Sequence, residues 1–133
     1  MSQQSVEAVR GVIAVINERG PDASLDLLDP EVEFYEDPTF PESEVFRGRD
    51  EVVGNFRKFT ESFEHYRFEI EDLRDAGGDR VMAVLREKAR GKTSGVEVER
   101  RSGWVFTFRD GKALRVEIYL DPGDALEAVG LSE

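Results

Sequence analysis

Asp37 is the first residue of this sequence to consider for chemistry. It follows the alternating segment Val32-Glu33-Phe34-Tyr35 and directly precedes Pro38. A carboxylate at the end of a strand can act as a general base if partial burial raises its pKa from about 3.9 while leaving it ionised. The alternative is structural, because Asp-Pro commonly opens a turn and such a carboxylate often accepts backbone hydrogen bonds. The sequence alone leaves both interpretations open.

Three further side chains could donate hydrogen bonds to a bound molecule: Tyr35, Arg86 and Trp104. Arg86 follows the apolar run 81–85, and an arginine at that position would suit a carboxylate or an enolate oxygen. Its direction depends on the strand register, because a slip of one residue moves every side chain to the opposite face. Tyr35 has a simpler interpretation as a packed strand residue.

Aromatic and aliphatic residues alternate in two of the later segments. One set is Trp104, Phe106 and Phe108, and Val116 and Ile118 alternate in the same way. Most such residues are expected to form core. If part of this group lines a cavity instead, the molecule bound there should be flat or ring-shaped, apolar or aromatic, and small.

Neither histidine nor metal chemistry is indicated. His65 is the single histidine and the chain has no cysteine, so multi-histidine sites, thiol nucleophiles and zinc clusters are excluded. We interpret His65 as a solvated residue between a helix and a strand. The acidic residues between 31 and 51 match no calcium-loop spacing and HExxH is absent. We therefore expect no metal and no cofactor.

The segment between residues 86 and 101 is locally basic within an acidic protein. It could bind an anionic ligand, or it could contact the acidic rim of a second subunit. The simpler interpretation is a set of cross-strand ion pairs on a solvated sheet face.

Composition narrows the class of protein. A chain of 133 residues with 39% hydrophobic and 35% charged residues is expected to form one soluble domain over residues 1–133. The formal net charge of −11 disfavours binding to nucleic acid or to an anionic membrane. Residues 1–12 lack the basic start and long apolar run of a signal peptide, which favours a cytoplasmic location.

The helical segments come first. Apolar residues at helical spacing over 6–16 predict a helix with Ser5 as its N-cap. A shorter helix is predicted from Asp22 until Asp29-Pro30 ends it. After a short strand over 32–35 and an acidic flap over residues 39–44, a third helix is predicted from Asp50 through Phe63, with an apolar stripe.

Period-two alternation then begins at Tyr66. Long strands are predicted over 80–90, 96–109 and 112–121, with glycine-containing turns between them. A last short helix is predicted over 122–129. This order predicts an α+β fold in which a curved antiparallel sheet carries its helices on one face.

A set of short motifs in this order resembles the SnoaL-like branch of the nuclear transport factor 2-like superfamily. The motifs are Tyr35-Glu36-Asp37-Pro38, Phe46-Arg47-Gly48-Arg49-Asp50, Ser94-Gly95-Val96-Glu97, Phe106-Thr107-Phe108-Arg109-Asp110-Gly111-Lys112 and Tyr119-Leu120-Asp121. The resemblance runs from about residue 6 to residue 131. It implies a cone-shaped roll whose bent sheet encloses an apolar cavity, and commonly a homodimer. Fold alone does not imply activity, since the superfamily includes isomerases, cyclases and members with no known activity.

The resemblance to ketosteroid isomerases assigns Asp37 as the base that removes a proton next to a carbonyl. By the same resemblance, Val12 and Trp104 occupy the places of the two hydrogen-bond donors of those isomerases. Valine cannot donate and the indole donates only one hydrogen bond. The leading interpretation is an isomerase-like or cyclase-like proton-transfer enzyme, with Tyr35, Arg86 or Trp104 as electrostatic partners of Asp37. The alternatives are a non-catalytic small-molecule binding module and a dimeric scaffold without a ligand.

Overall fold

A computed structural model describes residues 2–131 of the chain. Within them, three α-helices and a 3-10 helix accompany six strands. In chain order the elements are α1 (Ser2–Arg19), the 3-10 helix (Pro21–Leu27), β1 (Leu28–Tyr35), β2 (Val45–Arg47), α2 (Arg49–Thr60), β3 (Phe63–Asp75), β4 (Arg80–Gly91), β5 (Glu97–Arg109), β6 (Lys112–Tyr119) and α3 (Pro122–Ala128).

The strands form one curved sheet in the order β2-β1-β6-β5-β4-β3. The predicted antiparallel meander is confirmed for β3 to β6, where each strand pairs with the next. β1 pairs antiparallel with β2 but parallel with β6, and that parallel pairing was not predicted. The predicted α+β class is confirmed.

The inner face of the sheet packs against α1 and α2. Alternation along β4 and β5 directs every second side chain inward, so Val81, Ala83 and Leu85 meet Trp104 and Phe106 in the main core. Val9 and Ile13 of α1 complete this core. The predicted apolar stripes of the first and third helices therefore face the sheet, as expected for amphipathic helices.

α3 packs on the opposite face, so the prediction that all helices lie on one face is wrong. Its Ala125 and Leu126 form a second core with Met82, Val105 and Tyr119. Close approach is possible because Gly103 of β5 lies under the helix. A Cβ atom there would lie 2.5 Å from the Ala125 Cβ.

Two predicted helix starts lie elsewhere. Ser5 is a buried residue inside α1, which begins at Ser2. Gly48, with a φ of 85°, caps α2, and Asp50 lies in its first turn. The negative charge of Asp50 still suits a helix N-terminus, because the helix dipole is positive there.

The second and third helices also end earlier than predicted. The second is a 3-10 helix that ends at Leu27, and Asp29-Pro30 lies within β1 instead of after a helix. The carboxylate of Asp29 accepts hydrogen bonds from the Glu31 N–H and from Arg109, which accommodates the turn-forming dipeptide at an irregular point of the strand. Phe63 begins β3 instead of ending α2.

Candidate functional site

A cavity of about 620 Å³ lies between α2, the inner face of the sheet and the flap (residues 39–44). Apolar side chains dominate its wall, and they include Ile118 and Leu120 at the end of β6. Six aromatic residues line it: Phe34, Phe40, Phe56, Phe59, Phe68 and Trp104. Most neighbouring rings meet at tilted or edge-on angles, such as Phe34 and Trp104 at 84°. Edge-on contacts satisfy the ring quadrupoles.

Asp37 lies in the wall of this cavity and is 6% exposed. Its carboxylate accepts hydrogen bonds from three neutral donors: the Thr39 N–H at 2.9 Å, the Thr39 hydroxyl at 2.6 Å and the Leu120 N–H at 2.8 Å. Burial raises the pKa of Asp37, but these hydrogen bonds outweigh it and the net pKa lies below its ordinary value. Asp37 is therefore a buried, ionised group that joins the flap to the end of β6.

A second polar group, centred on Glu87 of β4, lies elsewhere in the wall. Glu87 is 3% exposed and accepts hydrogen bonds from the Tyr66 hydroxyl, from Arg100 at 3.1 Å and from the Ser102 hydroxyl at 2.5 Å. The Trp104 indole N–H donates in turn to the Ser102 oxygen at 2.9 Å. We call these five residues the Glu87 network. Every member has a partner, as buried polar networks require.

Burial and the charge of Glu87 together fix the protonation states of two members of the Glu87 network. Burial, followed by the negative charge of Glu87, raises the pKa of Tyr66, so this phenol stays protonated. Burial lowers the pKa of Arg100, but its attraction to Glu87 and its hydrogen bond to that carboxylate outweigh the effect and raise the pKa overall. Arg100 is half-exposed and therefore offers a permanent positive charge at the edge of the cavity.

Three of the predicted site residues line the cavity: Asp37, Trp104 and Ile118. Three others, Phe106, Phe108 and Val116, point to the same face but lie deeper, inside the main core. Phe106 and Phe108 are stacked at 11°, with ring centroids 6.0 Å apart. These deeper residues support the cavity from below and do not form its wall.

Tyr35 and Arg86 lie on the outer face of the sheet, away from the cavity. The Tyr35 hydroxyl donates to Glu33, and the Arg115 guanidinium lies 4.0 Å from the centre of its ring. Arg86 pairs with Glu71 at 2.6 Å and also with Glu99. The expectation that Arg86 reaches the cavity is therefore corrected, because its strand neighbours Leu85 and Glu87 point inward and Arg86 must point outward.

Sequence reasoning missed the Glu87 network, although a signal for it exists. Glu87 has the parity of Val81, Ala83 and Leu85, which identifies a charged residue on an otherwise apolar inward face. Arg100 and Ser102 similarly share the parity of Trp104. Extending the alternation one step beyond Leu85 on β4, and two steps back from Trp104 on β5, would have predicted Glu87 and Arg100, instead of Arg86, as cavity residues.

Most of the basic residues between 86 and 101 form cross-strand ion pairs, the simplest of the interpretations offered above. Arg90 binds Glu97 at 2.9 Å and Arg101 binds Glu71 at 2.9 Å on the outer face. His65 is an exposed residue within β3, with a φ of 56°, at an irregular point of the strand. Across residues 2–131, no group of three acidic or histidine side chains converges as a metal site would require.

The chain is similar to known proteins both in sequence and in structure. A model of the SnoaL-like domain matches residues 9–116. No curated protein matches the sequence. No helix within residues 2–131 has both the length and the apolar character needed to cross a bilayer.

Solved structures share the fold over almost the whole chain. An NTF2-like protein from Burkholderia thailandensis is 26% identical with a TM-score of 0.74, over 96% of this chain and 98% of that one. A candidate SnoaL-like polyketide cyclase from Jannaschia sp. CCS1 is 16% identical with a TM-score of 0.78, over 99% and 95%. A protein from Catenulispora acidiphila with a ketosteroid isomerase-like fold, in complex with trimethylamine, is 16% identical with a TM-score of 0.75, over 95% and 94%.

Proposed function

The chain belongs to the SnoaL-like domain family, and from this membership we propose that it binds a small, flat and largely apolar organic molecule. The observation that carries the proposal is the cavity of about 620 Å³ lined by six aromatic side chains. Binding sites for small organic molecules commonly fall between roughly 300 and 1,000 Å³ and combine apolar walls with a few polar groups. Here the polar groups of the wall include Asp37 and two members of the Glu87 network, Glu87 and Arg100.

The experiment uses Trp104, the single tryptophan of the chain, as a probe within the cavity wall. We expect flat aromatic compounds such as 2-tetralone to change its fluorescence saturably. Asn55→Phe on α2 introduces a ring into the cavity wall and should weaken the binding at least tenfold, roughly the effect of losing 1.4 kcal/mol. Lys58→Phe, an exposed position on the same helix, is the matched control.

Equal affinity in the wild type, the Asn55→Phe variant and the Lys58→Phe variant would place any bound compound outside the cavity. No saturable response from any flat aromatic compound would favour the dimeric scaffold without a ligand. Equilibrium sedimentation then tests the proposed homodimer directly, because a monomer at micromolar concentration contradicts both the homodimer and the scaffold.

Removal of a proton next to a carbonyl, with Asp37 as base, is the second candidate function. It is favoured by the position of Asp37, a buried and ionised carboxylate in the cavity wall. The three side chains predicted to stabilise an enolate are not placed to do so. Tyr35 and Arg86 lie on the outer face of the sheet, and the Trp104 N–H already donates to Ser102. Arg100 is the cavity residue that offers positive charge for that purpose.

Exchange of the α-protons of 2-tetralone for deuterium, followed by NMR in D₂O, measures this chemistry. Asp37→Asn should slow the exchange about 100-fold or more if Asp37 is the base, because an amide does not accept the proton. The same variant should leave the affinity for this neutral ketone within a factor of about two if the cavity only binds. Exchange that is no faster than in buffer would leave the non-catalytic binding module as the function.

A further inference from the structure

We infer that the molecule bound in this cavity carries a positive charge, as a substituted ammonium group on an apolar or aromatic body. This inference rests on the proposed function and specifies the chemical class of its ligand. Two properties of the cavity wall carry it: a concentration of aromatic faces and an excess of carboxylates that lack cationic partners.

The aromatic wall suits a cation with alkyl or aryl substituents. Ring faces attract positive charge, and several rings around one alkylammonium group form the aromatic cages that recognise such groups in other proteins. The cavity already contains one interaction of this type, since the Arg100 guanidinium carbon lies 5.6 Å from the centre of the Phe59 ring. The other five aromatic residues of the wall also border the space open to a ligand.

The charges of the wall are unequal. Among the described residues, four carboxylates line the cavity, from Glu36, Asp37, Glu42 and Glu87, against one guanidinium, that of Arg100. Arg100 is paired with Glu87. The other three carboxylates form no ion pair with any residue in the described part of the chain. An anionic ligand would therefore meet net repulsion, and a cationic ligand net attraction.

Asp37 provides the strongest argument, because it is buried as well as ionised. Buried charges are usually paired, whereas within residues 2–131 the carboxylate of Asp37 is held only by the neutral donors of Thr39 and Leu120. A ligand cation in the cavity would supply the missing counter-charge. Glu36 and Glu42 are exposed lining residues at the rim, and the net charge of −11 extends the same attraction outwards.

The test compares three probes of nearly equal shape that differ in charge. They are trimethyl(naphthalen-2-ylmethyl)ammonium, its neutral carbon isostere 2-neopentylnaphthalene, and the anion naphthalen-2-ylmethanesulfonate. Affinities are measured by isothermal titration with the intact chain. We expect the cation to bind about tenfold or more tightly than the neutral isostere, and the anion to bind most weakly.

Two variants locate the effect. Asp37→Asn should reduce the ratio of the affinity for the cation to the affinity for the neutral isostere by about fivefold or more. Because Asp37 also holds the flap, Glu42→Gln at the rim provides a second variant that removes a charge without removing a hydrogen bond of the flap; we expect a smaller reduction, which disappears at high salt. Glu61→Gln, an exposed acid at the end of α2 that does not line the cavity, is the matched control.

The outcomes separate the inference from the proposed function. If the neutral isostere binds as tightly as the cation, or the sulfonate binds most tightly, the inference is wrong and the binding function stands. If none of the three probes binds at millimolar concentration and Trp104 fluorescence does not respond, the binding function fails as well. A cation preference that is unchanged in Asp37→Asn and Glu42→Gln would also overturn the inference, because the charge would then be recognised elsewhere.

Discussion

Two buried carboxylates of the same cavity have different surroundings. Asp37 is surrounded by neutral donors, whereas Glu87 receives hydrogen bonds from Arg100, Tyr66 and Ser102. No cation among residues 2–131 pairs with Asp37, whereas Glu87 belongs to a closed network. For the function proposed above, this difference makes Asp37 the acid expected to act on a ligand and Glu87 the one expected to organise the wall.

Asp37 should make the stability of the fold depend on acidity. Its pKa is lower in the folded chain than its ordinary value of 3.8, so its stabilising contribution is fully present above that value and is lost as pH falls through the folded pKa. Asp37→Asn should lower the free energy of unfolding by about 2 kcal/mol near neutral pH, because the amide places a donor against the Leu120 N–H. Urea denaturation should show this difference shrinking below pH 3.8. A difference that is constant with pH would contradict the assignment.

Glu87 should contribute to stability through its network. Glu87→Gln replaces an acceptor oxygen by a donor among three donors, and we expect a loss of about 2–3 kcal/mol with a shift in the emission of Trp104. Glu99→Gln is the matched control, because Glu99 pairs with Arg86 on the solvated face. That substitution should cost about 0–1 kcal/mol. Equal losses in the two variants would show that the network adds nothing beyond a surface ion pair.

At this scale the sequence predicted residue types better than directions. Asp37, Trp104 and Ile118 were predicted for the cavity and line it. Arg86 was predicted to reach the cavity, whereas its neighbour Glu87 is the residue that lines it. The strand register was not known, and a shift of one residue reverses the face. Phe40 and Phe59, both of which line the cavity, carry no periodic signal that separates a wall residue from a core residue.

Among the elements, α3 is the one that depends on a single small residue of the sheet. It packs against β4, β5 and β6 on the outer face, over Gly103. Pro122 also approaches there, with its Cα 3.1 Å from where a Cβ of residue 103 would lie. Both contacts involve backbone or a short side chain, so neither can move aside cheaply.

Gly103→Ala should therefore displace α3 and lower the free energy of unfolding by about 1–3 kcal/mol, the usual effect of overpacking. Gly11→Ala is the control, since Gly11 is exposed within α1 and an added Cβ has no atom within 4 Å. That substitution should stabilise the chain by about 0.5–1 kcal/mol, because alanine restricts the unfolded backbone. Thermal unfolding monitored by circular dichroism measures both. A neutral Gly103→Ala would show that α3 is loosely packed.

The long elements were predictable and the short ones were not. β4 and β5 carry extended alternation between glycine turns, and their bounds agree with the prediction to within one residue at each end. β2 has only three residues, and its register is set by its pairing with β1. It forms a strand because of this pairing and not because of a pattern in its own sequence. The side on which α3 packs was also not predictable, since a short amphipathic segment specifies that it is buried but not against which face.

Across the whole molecule, Arg109 connects two regions that are far apart in the chain. At the end of β5, it binds Asp29 at 2.9 Å and Glu31 at 2.7 Å near the start of β1. Its hydrogen bond to the Asp29 side chain is the largest cause that lowers the pKa of that carboxyl, and the Glu31 N–H adds to it. The contact links β5 to β1 across the intervening strand β6, and so supports the parallel pairing of β1 with β6.

Arg109→Ala should lower the midpoint of urea denaturation more than Arg47→Ala. Removing the Arg109 side chain leaves the carboxylate of Asp29, which is only 7% exposed, without the guanidinium that binds it. Arg47, in contrast, pairs with Glu33 at the surface. The pKa of Asp29 lies below its ordinary value of 3.8, so the advantage of Arg109 over alanine should be present above that pH and decline below it. Similar midpoints for the two variants would show that Arg109 contributes no more to stability than a surface ion pair.

The parallel pairing of β1 with β6 also determines when the cavity can form during synthesis. Phe34 of β1 lies beside Val116 of β6, so this side of the cavity cannot form until β6 has left the ribosome. The hairpins of β3 to β5 can assemble earlier because their partners are consecutive. Newly made chains should thus pass through a stage in which β1 and β2 are not yet docked, and the cavity can form only after β6 has joined the sheet.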